Sequence, residues 1–320
     1  MQKIINFEAI CNYKTYRLLH FVRNDIIMYQ PILTYICFMY MSKPKTLLLL
    51  LFLLCFTFSY AQREKESLYI NHNFTLNKTF ALYGDTVKLR SEPNTTSEVV
   101  TILRIGDEVT ILKKTDQLLE TSTAKTAWYE VNYNGKKGFI AGQFIANAHK
   151  QNGNQHFYFR KFINEEQGVL HIRTLFNTST KAYTETTVQL MDESIGISFE
   201  KPHDLKNVIQ IVEVNYFGDS CGAESGYSVL FLKDDYTLVK VADLSLIGDG
   251  GIYYLSEKFL YTTDEDNGQP IIQFIKEEGE LVDGEKDWFE SKKMTRKYEW
   301  NGKKLVPEFS KEFKKRDTSN

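Results

Sequence analysis

The fold is decided by the stretch WYEVNYNGKKGFI, residues 128–140. Apolar and polar residues alternate on both sides of Asn134-Gly135, and both residues of that pair accept the positive φ angles that a type I′ hairpin turn requires. Two earlier stretches, VKLRSEP at 87–93 and IGDEVTIL at 105–112, show similar alternation next to Pro or Gly. Short strands separated by such turns predict a small, closed, strongly bent β-barrel, a structure that usually binds a ligand rather than converting it.

The barrel is predicted to span residues 80–148, after a polar linker at residues 62–79 with one early strand near residues 67–70. A Thr-rich loop is predicted at residues 118–125, before Trp128. Loops on a rigid scaffold often carry binding specificity. The strand signals of the barrel are residues 86–90, 99–104, 108–113, 128–133 and 137–140.

The motifs of this region, taken in order, resemble those of the bacterial SH3-like domain (SH3b, or SH3 type 3). They are Leu89-Arg90-Ser91-Glu92-Pro93, Gly106, Trp128-Tyr129-Glu130-Val131, Asn134-Gly135 and Gly138-Phe139-Ile140. Glu92 stands where the family usually has Gly, and Phe139 stands where it usually has Trp, which removes an indole N–H donor. The resemblance covers about 60 residues. It implies a five- to six-stranded barrel of cell-envelope proteins, whose members bind peptidoglycan or peptide, or only space other domains.

Residues 155–310 predict a larger antiparallel β domain, so the predicted fold class is all-β. Breaks that contain Gly, Asp or Asn recur about every 10 to 15 residues, a spacing typical of an antiparallel meander. Residues 285–298 are interpreted as a strand rather than a short helix because of Thr295, Tyr298 and the nearby Trp300. A polar link is predicted at residues 149–155 and a charged, frayed tail at residues 311–320.

Residues 41–61 have the pattern of a Sec signal peptide: a basic start, an apolar run at residues 46–58 and Ser59-Tyr60-Ala61 as a cleavage site. The run is shorter than the roughly 20 residues of a membrane span. Two alternatives remain, an uncleaved anchor and lipidation at Cys55. The bulky Leu54 argues against lipidation, because that site needs a small residue at its position. Residues 1–40 are interpreted as an over-extended leader, because a signal peptide should begin the chain and translation is therefore predicted to start at Met41. The alternative is that they contain a second weak anchor. The mature protein is predicted to start at Gln62 without a stable membrane span, and to be secreted, periplasmic or surface-associated.

The net charge of −2 at pH 7 gives no basic excess for binding nucleic acid. Three of the four cysteines, Cys11, Cys37 and Cys55, lie in the part predicted to be lost. Cys221 alone remains, which excludes a disulfide framework within one mature chain.

The segment Asp219-Ser220-Cys221-Gly222 is a scrambled form of the Asp-Cys-Ser-Gly nucleophile of wall-cutting cysteine peptidases. A catalytic cysteine needs a histidine to hold it as thiolate, and in that family the histidine follows the cysteine. No histidine follows Cys221. The histidines of the chain, all of which precede Cys221, lack the spacing of metal ligands. The acidic segment 264–268 lacks the spaced oxygen ligands of a calcium loop. We therefore predict no catalytic residue, no metal ligand and no cofactor.

The aromatic residues of the barrel are the candidate ligand contacts: Trp128, Tyr129, Tyr133 and Phe139. Aromatic ring faces supply a binding groove with contact area at a low entropic cost. About half of these rings, Trp128 in particular, are nevertheless expected to lie in the core. The predicted function is an exported, non-enzymatic binding or scaffolding protein whose barrel engages peptide or peptidoglycan in the cell envelope. The alternatives are an envelope hydrolase with an unrecognised C-terminal domain, and a purely structural part of a larger surface complex with an envelope protein partner.

Overall fold

The described part of the protein consists of three antiparallel β-sheets, which confirms the all-β fold class. The structure is a computed structural model. It describes residues 68–70, 73–121, 125–163, 168–218, 225–284 and 288–312. The predicted leader, the predicted signal peptide and Cys221 lie outside these residues. Within them, no helix has both the length and the apolar character to cross a membrane.

In the part of the chain that the structure describes, strands β1 to β19 follow one another, with one short 3-10 helix, Gly142–Phe144, between β7 and β8. In order, the strands are Leu68–Tyr69, Thr79–Ala81, Val87–Arg90, Val99–Leu103, Glu108–Glu120, Lys125–Tyr133, Lys136–Ala141, Ala148–Asn152, Gln155–Ile163, Gly168–Asn177, Ala182–Gln189, Ile195–Glu200, Val208–Tyr216, Ser225–Lys233, Leu238–Asp249, Tyr253–Thr263, Pro270–Asp283, Trp288–Trp300 and Leu305–Val306.

Six strands form the barrel, in the order β2-β5-β6-β7-β3-β4. Alternate residues point to opposite faces of a strand, so the apolar residues of each strand meet inside the curl. Leu89, Leu103, Val131 and Ile140 are fully buried there. The Asn134-Gly135 turn between β6 and β7 has φ angles of 49° and 84°, as the hairpin prediction requires.

Two predicted details of the barrel are wrong. The barrel is not closed by a ladder at β4, because this strand pairs only with β3 among the described residues and forms an edge. The loop predicted at residues 118–125 is shorter than expected, because β5 continues to Glu120 and β6 begins at Lys125. Leu118 and Leu119 register with residues of β6 and so extend the ladder.

A four-stranded sheet with the order β11-β10-β9-β8 follows the barrel. The polar link predicted at residues 149–155 is wrong, because Ala148–Asn152 form β8 and pair with β9. Contacts made by its side chains stabilise β8. The ring of His149 stacks on that of Tyr158, with centroids 4.6 Å apart and planes 12° apart, and Ala148 is buried.

The nine-stranded sheet runs in the order β1-β12-β13-β14-β15-β16-β17-β18-β19. One face packs on the four-stranded sheet, where Ile197 and Val212 meet Phe157 and Ile172 in a shared core. The ring centroids of Phe231 on β14 and Trp300 on β18 lie only 4.9 Å apart. In a flat sheet, strands spaced about 4.8 Å apart would keep such rings far from each other, so this sheet is strongly curled.

Residues 307–312, which we call the C-terminal strap, cross the curled sheet. The ring of Phe309 contacts those of Phe259, Phe274 and Tyr298, at centroid distances of 5.5, 5.2 and 5.6 Å. The Lys311 ammonium lies 2.5 Å from the Glu257 carboxylate. The frayed tail predicted from residue 311 is therefore wrong at its start, because Lys311 is anchored; residues 313–320 lie outside the described part.

Arg173 on β10 connects the four-stranded sheet to the barrel. Its guanidinium carbon lies 4.2 Å from the ring centroid of Tyr83 and 4.7 Å from that of Tyr183. It also donates to the Tyr83 carbonyl at 2.7 Å and to the Glu185 carboxylate at 2.6 Å. Burial alone would lower the pKa of Arg173, but the neighbouring Tyr83 and Glu185 raise it above its usual value. The described residues from Leu68 to Glu312 accordingly belong to one compact unit.

Candidate ligand-binding surfaces

The four aromatic residues predicted as ligand contacts lie on β6 and β7 but do not share one surface. Trp128 and Tyr129 are only 4% and 6% exposed. Tyr129 packs in the barrel core, with its ring centroid 5.2 Å from that of Phe74, and burial raises its pKa. The role of Trp128 and Tyr129 in ligand binding stays a prediction, but neither offers an open ring face.

Tyr133 and Phe139 are half-buried. Tyr133 packs against the barrel core, and its hydroxyl donates to the Asp107 carboxylate at 3.4 Å. Burial raises the pKa of Tyr133. Phe139 points the other way, because the residues on either side of it, Gly138 and Ile140, are buried. Trp128 shares a strand face with Glu130, the partner of Phe139, but is buried, so Phe139 is the one of the four predicted residues that is both on the outer side of the barrel wall and partly exposed.

Three adjacent strands, β7, β3 and β4, build what we call the outer face of the barrel. Val87 and Leu89 are core residues, so the intervening Lys88 and the following Arg90 point outward. The register places Arg90 opposite Phe139 on one side and Val99 on the other. The outer face consists of Lys88, Arg90, Val99, Ile102, Lys137 and Phe139.

The outer face is both basic and apolar. Val99 and Ile102 are 39% and 53% exposed, and both lie on the edge strand β4. Among the described residues, Lys88, Arg90 and Lys137 form no salt bridge, and Arg90 donates only to the Ser97 carbonyl, at 2.7 Å. Glu130 is the cross-strand neighbour of Phe139 and adds one carboxylate to its border. Three cations beside exposed apolar groups suit an anionic ligand with apolar parts.

Comparison with known families identifies this region. Residues 85–146 match the family model described as a bacterial SH3 domain. The match confirms the resemblance that the sequence motifs indicate, and it covers about a fifth of the chain. No curated protein and no solved structure matches the chain. The bacterial SH3 domain thus accounts for the barrel, and the two following sheets are described by their own geometry.

The sequence prediction of ligand contacts considered aromatic residues alone. It therefore missed the cations of the outer face, Lys88, Arg90 and Lys137. The signal was present in Val87-Lys88-Leu89-Arg90, where two basic residues alternate with two apolar ones. Once Val87 and Leu89 are assigned to the core, the two cations must lie outside. The position of Ile102 beside Lys88 depends on the β3–β4 register, and the sequence alone does not define that register.

A second surface lies at one end of the four-stranded sheet, between the β8–β9 turn and the β10–β11 turn. It is an open surface depression of about 380 Å³, which we call the cavity, and four of its six lining residues are exposed. Beside it runs a row of three rings, in which His156 stacks next to His149 and His149 stacks on Tyr158. Ring nitrogens of His149 and His156 lie 3.3 Å apart. Among the described residues, no group of three or more His, Cys, Asp or Glu side chains is placed to hold a metal ion.

The half-buried His149 of this row predicts an acid-sensitive stability. Burial, together with the neighbouring His156, lowers the pKa of His149 below its usual 6.5. The unfolded chain therefore binds a proton more readily than the folded one, so stability is lost as the pH falls below about 6.5. We expect this group to lower the free energy of unfolding by up to about 1.4 kcal/mol per pH unit in that window.

Urea denaturation between about pH 7 and pH 5 measures this loss. The variant His149→Gln lacks the titrating group and should show a flatter dependence than the unmodified protein. Equal slopes for the two proteins would contradict the assignment to His149.

Proposed function

We propose that this protein is an exported, non-enzymatic binding or scaffolding protein of the cell envelope, whose barrel binds peptidoglycan through its outer face. The observation that carries the proposal is the match of residues 85–146 to the bacterial SH3 domain, in which the outer face lies. The signal-peptide pattern at residues 41–61 and the absence of a histidine after Cys221 in the sequence support the exported and non-enzymatic parts of the proposal.

The chemistry of the outer face favours the peptide stems of peptidoglycan as the ligand. Such stems carry free carboxylates and small aliphatic side chains. Lys88, Arg90 and Lys137 supply positive charge for the carboxylates, and Val99 and Ile102 supply exposed apolar area for the methyl groups. An extended stem can also align along the edge strand β4, because edge strands present unpaired backbone groups to a peptide.

Reversal of two charges on the outer face tests the proposal. In the double variant Lys88→Glu with Lys137→Glu, we expect the affinity for purified peptidoglycan sacculi to fall about tenfold, or about 1.4 kcal/mol. The physical reason is that two exposed attractions, each of about 0.2–1 kcal/mol, become repulsions. Co-sedimentation with sacculi over a range of protein concentrations measures the affinity.

A matched control keeps the same net charge. Lys303 and Lys304 are exposed and lie in the turn between β18 and β19, so the double variant Lys303→Glu with Lys304→Glu should bind as the unmodified protein does. Equal loss in both double variants, or no loss in either, would overturn the role of the outer face. Lysis of the wall in a zymogram would overturn the non-enzymatic part, and a natural N-terminus at Met1 would overturn the export signal.

A further inference from the structure

The cavity in the four-stranded sheet is formed by two hairpins that the sheet brings to the same end. Since β9 and β10 are antiparallel neighbours, the turn after β8 and the turn after β10 lie side by side. The cavity volume of about 380 Å³ falls within the roughly 300–1,000 Å³ of small-molecule sites. Its lining residues are Gln151, Asn154, His156, Phe176, Asn177 and Thr178.

The lining is polar but contains no acidic residue, lysine or arginine. An anionic ligand such as a phosphate or a carboxylate would require a cation to replace its hydration, so this site does not suit the anionic stems assigned to the outer face. A purely apolar ligand is also unsuitable, because it would leave the three amides without hydrogen-bond partners. The lining fits a neutral ligand with many hydroxyl or amide groups.

The side-chain amides of the lining retain hydrogen-bond donors and acceptors for such a ligand. The Asn177 side-chain oxygen accepts from the amides of Ser179 and Thr180 at 3.0 and 2.9 Å, which leaves its NH₂ group as a donor. The Gln151 NH₂ group donates to the Gly153 carbonyl at 3.2 Å, which leaves its oxygen as an acceptor. Asn154 is exposed, and within the described residues its side chain has no hydrogen bond.

The rings of the cavity are held in place by other rings. Phe176 stacks on Tyr236, with centroids 4.7 Å apart and planes 12° apart. His156 is held beside His149, which in turn stacks on the buried Tyr158. Because these side chains are already ordered, the binding of a ligand to them costs little additional side-chain entropy.

We propose that this cavity binds a neutral carbohydrate, with the amides bonding to sugar hydroxyl and acetamido groups and the rings contacting the C–H faces of the sugar. This inference rests on the proposed function only in its choice of the wall glycan as the natural source. The outer face of the barrel and the cavity then contact different chemical parts of one polymer, the charged stems and the neutral sugar chain.

The test is a titration of the purified protein with N-acetylchitotetraose, a neutral chain of β-1,4-linked N-acetylglucosamine, followed by calorimetry. We expect saturable binding that is weakened at least tenfold in Phe176→Ala and in Asn154→Ala. Asn154 is exposed in a turn, so its variant remains folded even if Phe176→Ala does not. Tyr69→Ala removes a ring that is 63% exposed and lies outside the cavity lining, and it should bind the sugar normally.

The outcome is separable from that of the proposed function. The variant Lys88→Glu with Lys137→Glu should bind N-acetylchitotetraose normally while its affinity for sacculi falls about tenfold, since the outer face is not part of the cavity. Absence of binding by the unmodified protein, or equal affinity in Asn154→Ala and the unmodified protein, would overturn the carbohydrate site and leave the proposed function standing. Loss of sugar binding on charge reversal at the outer face would also overturn it.

Discussion

The variant Gly226→Ala is expected to lose at least about 3 kcal/mol of stability, a large share of the roughly 5–15 kcal/mol that holds a domain folded. Gly226 lies on β14 with a φ of +140°, which L side chains rarely adopt. An added Cβ would lie 2.0 Å from the Leu244 carbonyl oxygen and 3.0 Å from the Ser245 Cα. Both are backbone atoms of β15, so no side-chain rotation relieves the overlap, and the β14–β15 ladder must separate.

Gly248→Ala is the matched control, because Gly248 lies on β15 and a Cβ added there would meet no heavy atom within 4 Å beyond its own chain neighbours. Alanine in a strand loses less backbone entropy on folding than glycine, so this variant should match or exceed the unmodified protein by up to about 1 kcal/mol. Urea denaturation followed by circular dichroism measures both. Equal midpoints for the two variants would show that the ladder accommodates a methyl group at Gly226.

The variant Lys311→Met is expected to lose about 2–3 kcal/mol, because it leaves a buried carboxylate without its nearest cation. The Glu257 side chain is 2% exposed, and Lys311 lies 2.5 Å from it. The other cation near Glu257 among the described residues, Lys276, is 3.8 Å away. Breaking a buried pair typically costs about 3–5 kcal/mol, and the value is reduced here because a third of the Lys311 side chain is exposed and screened by solvent. Urea denaturation measures the loss.

An exposed pair of the same length provides the control for this prediction. Lys125 and Glu120 are also 2.5 Å apart, but their side chains are 61% and 65% exposed. Lys125→Met should therefore change stability by less than about 1 kcal/mol. Replacing Glu257 by Gln together with Lys311→Met removes the buried charge and should recover part of the loss. Equal losses in Lys311→Met and Lys125→Met would contradict the strap as a stabilising element.

The barrel was predictable because its strands are joined by local signals. Asn134-Gly135 fixes the β6–β7 hairpin, and the alternation on each side fixes which residues face inward. The strand β8 was not predictable in this way, since His149-Lys150-Gln151-Asn152 contains no apolar residue. Its formation depends on the ring of Tyr158, which is a contact between strands rather than a property of the segment.

The candidate sites were less predictable than the fold. An aromatic residue has the same sequence signal whether it lies in a core or in a groove. Tyr129 is buried because it shares a strand face with Ala127 and Val131, whereas Phe139 lies on the opposite face of its own strand. The carbohydrate cavity joins residues 151–156 and 176–178 through the β9–β10 register, and no local pattern encodes that proximity.

The Arg173 contact has a mechanical consequence. The guanidinium held between Tyr83 and Tyr183, with its hydrogen bonds to both sides, leaves no free hinge between the barrel and the four-stranded sheet. If the barrel is attached to a stiff polymer, tension applied to it passes directly into the sheets behind it. Under the proposed function, the protein is then a rigid coupling rather than a flexible tether between the wall and the four-stranded sheet.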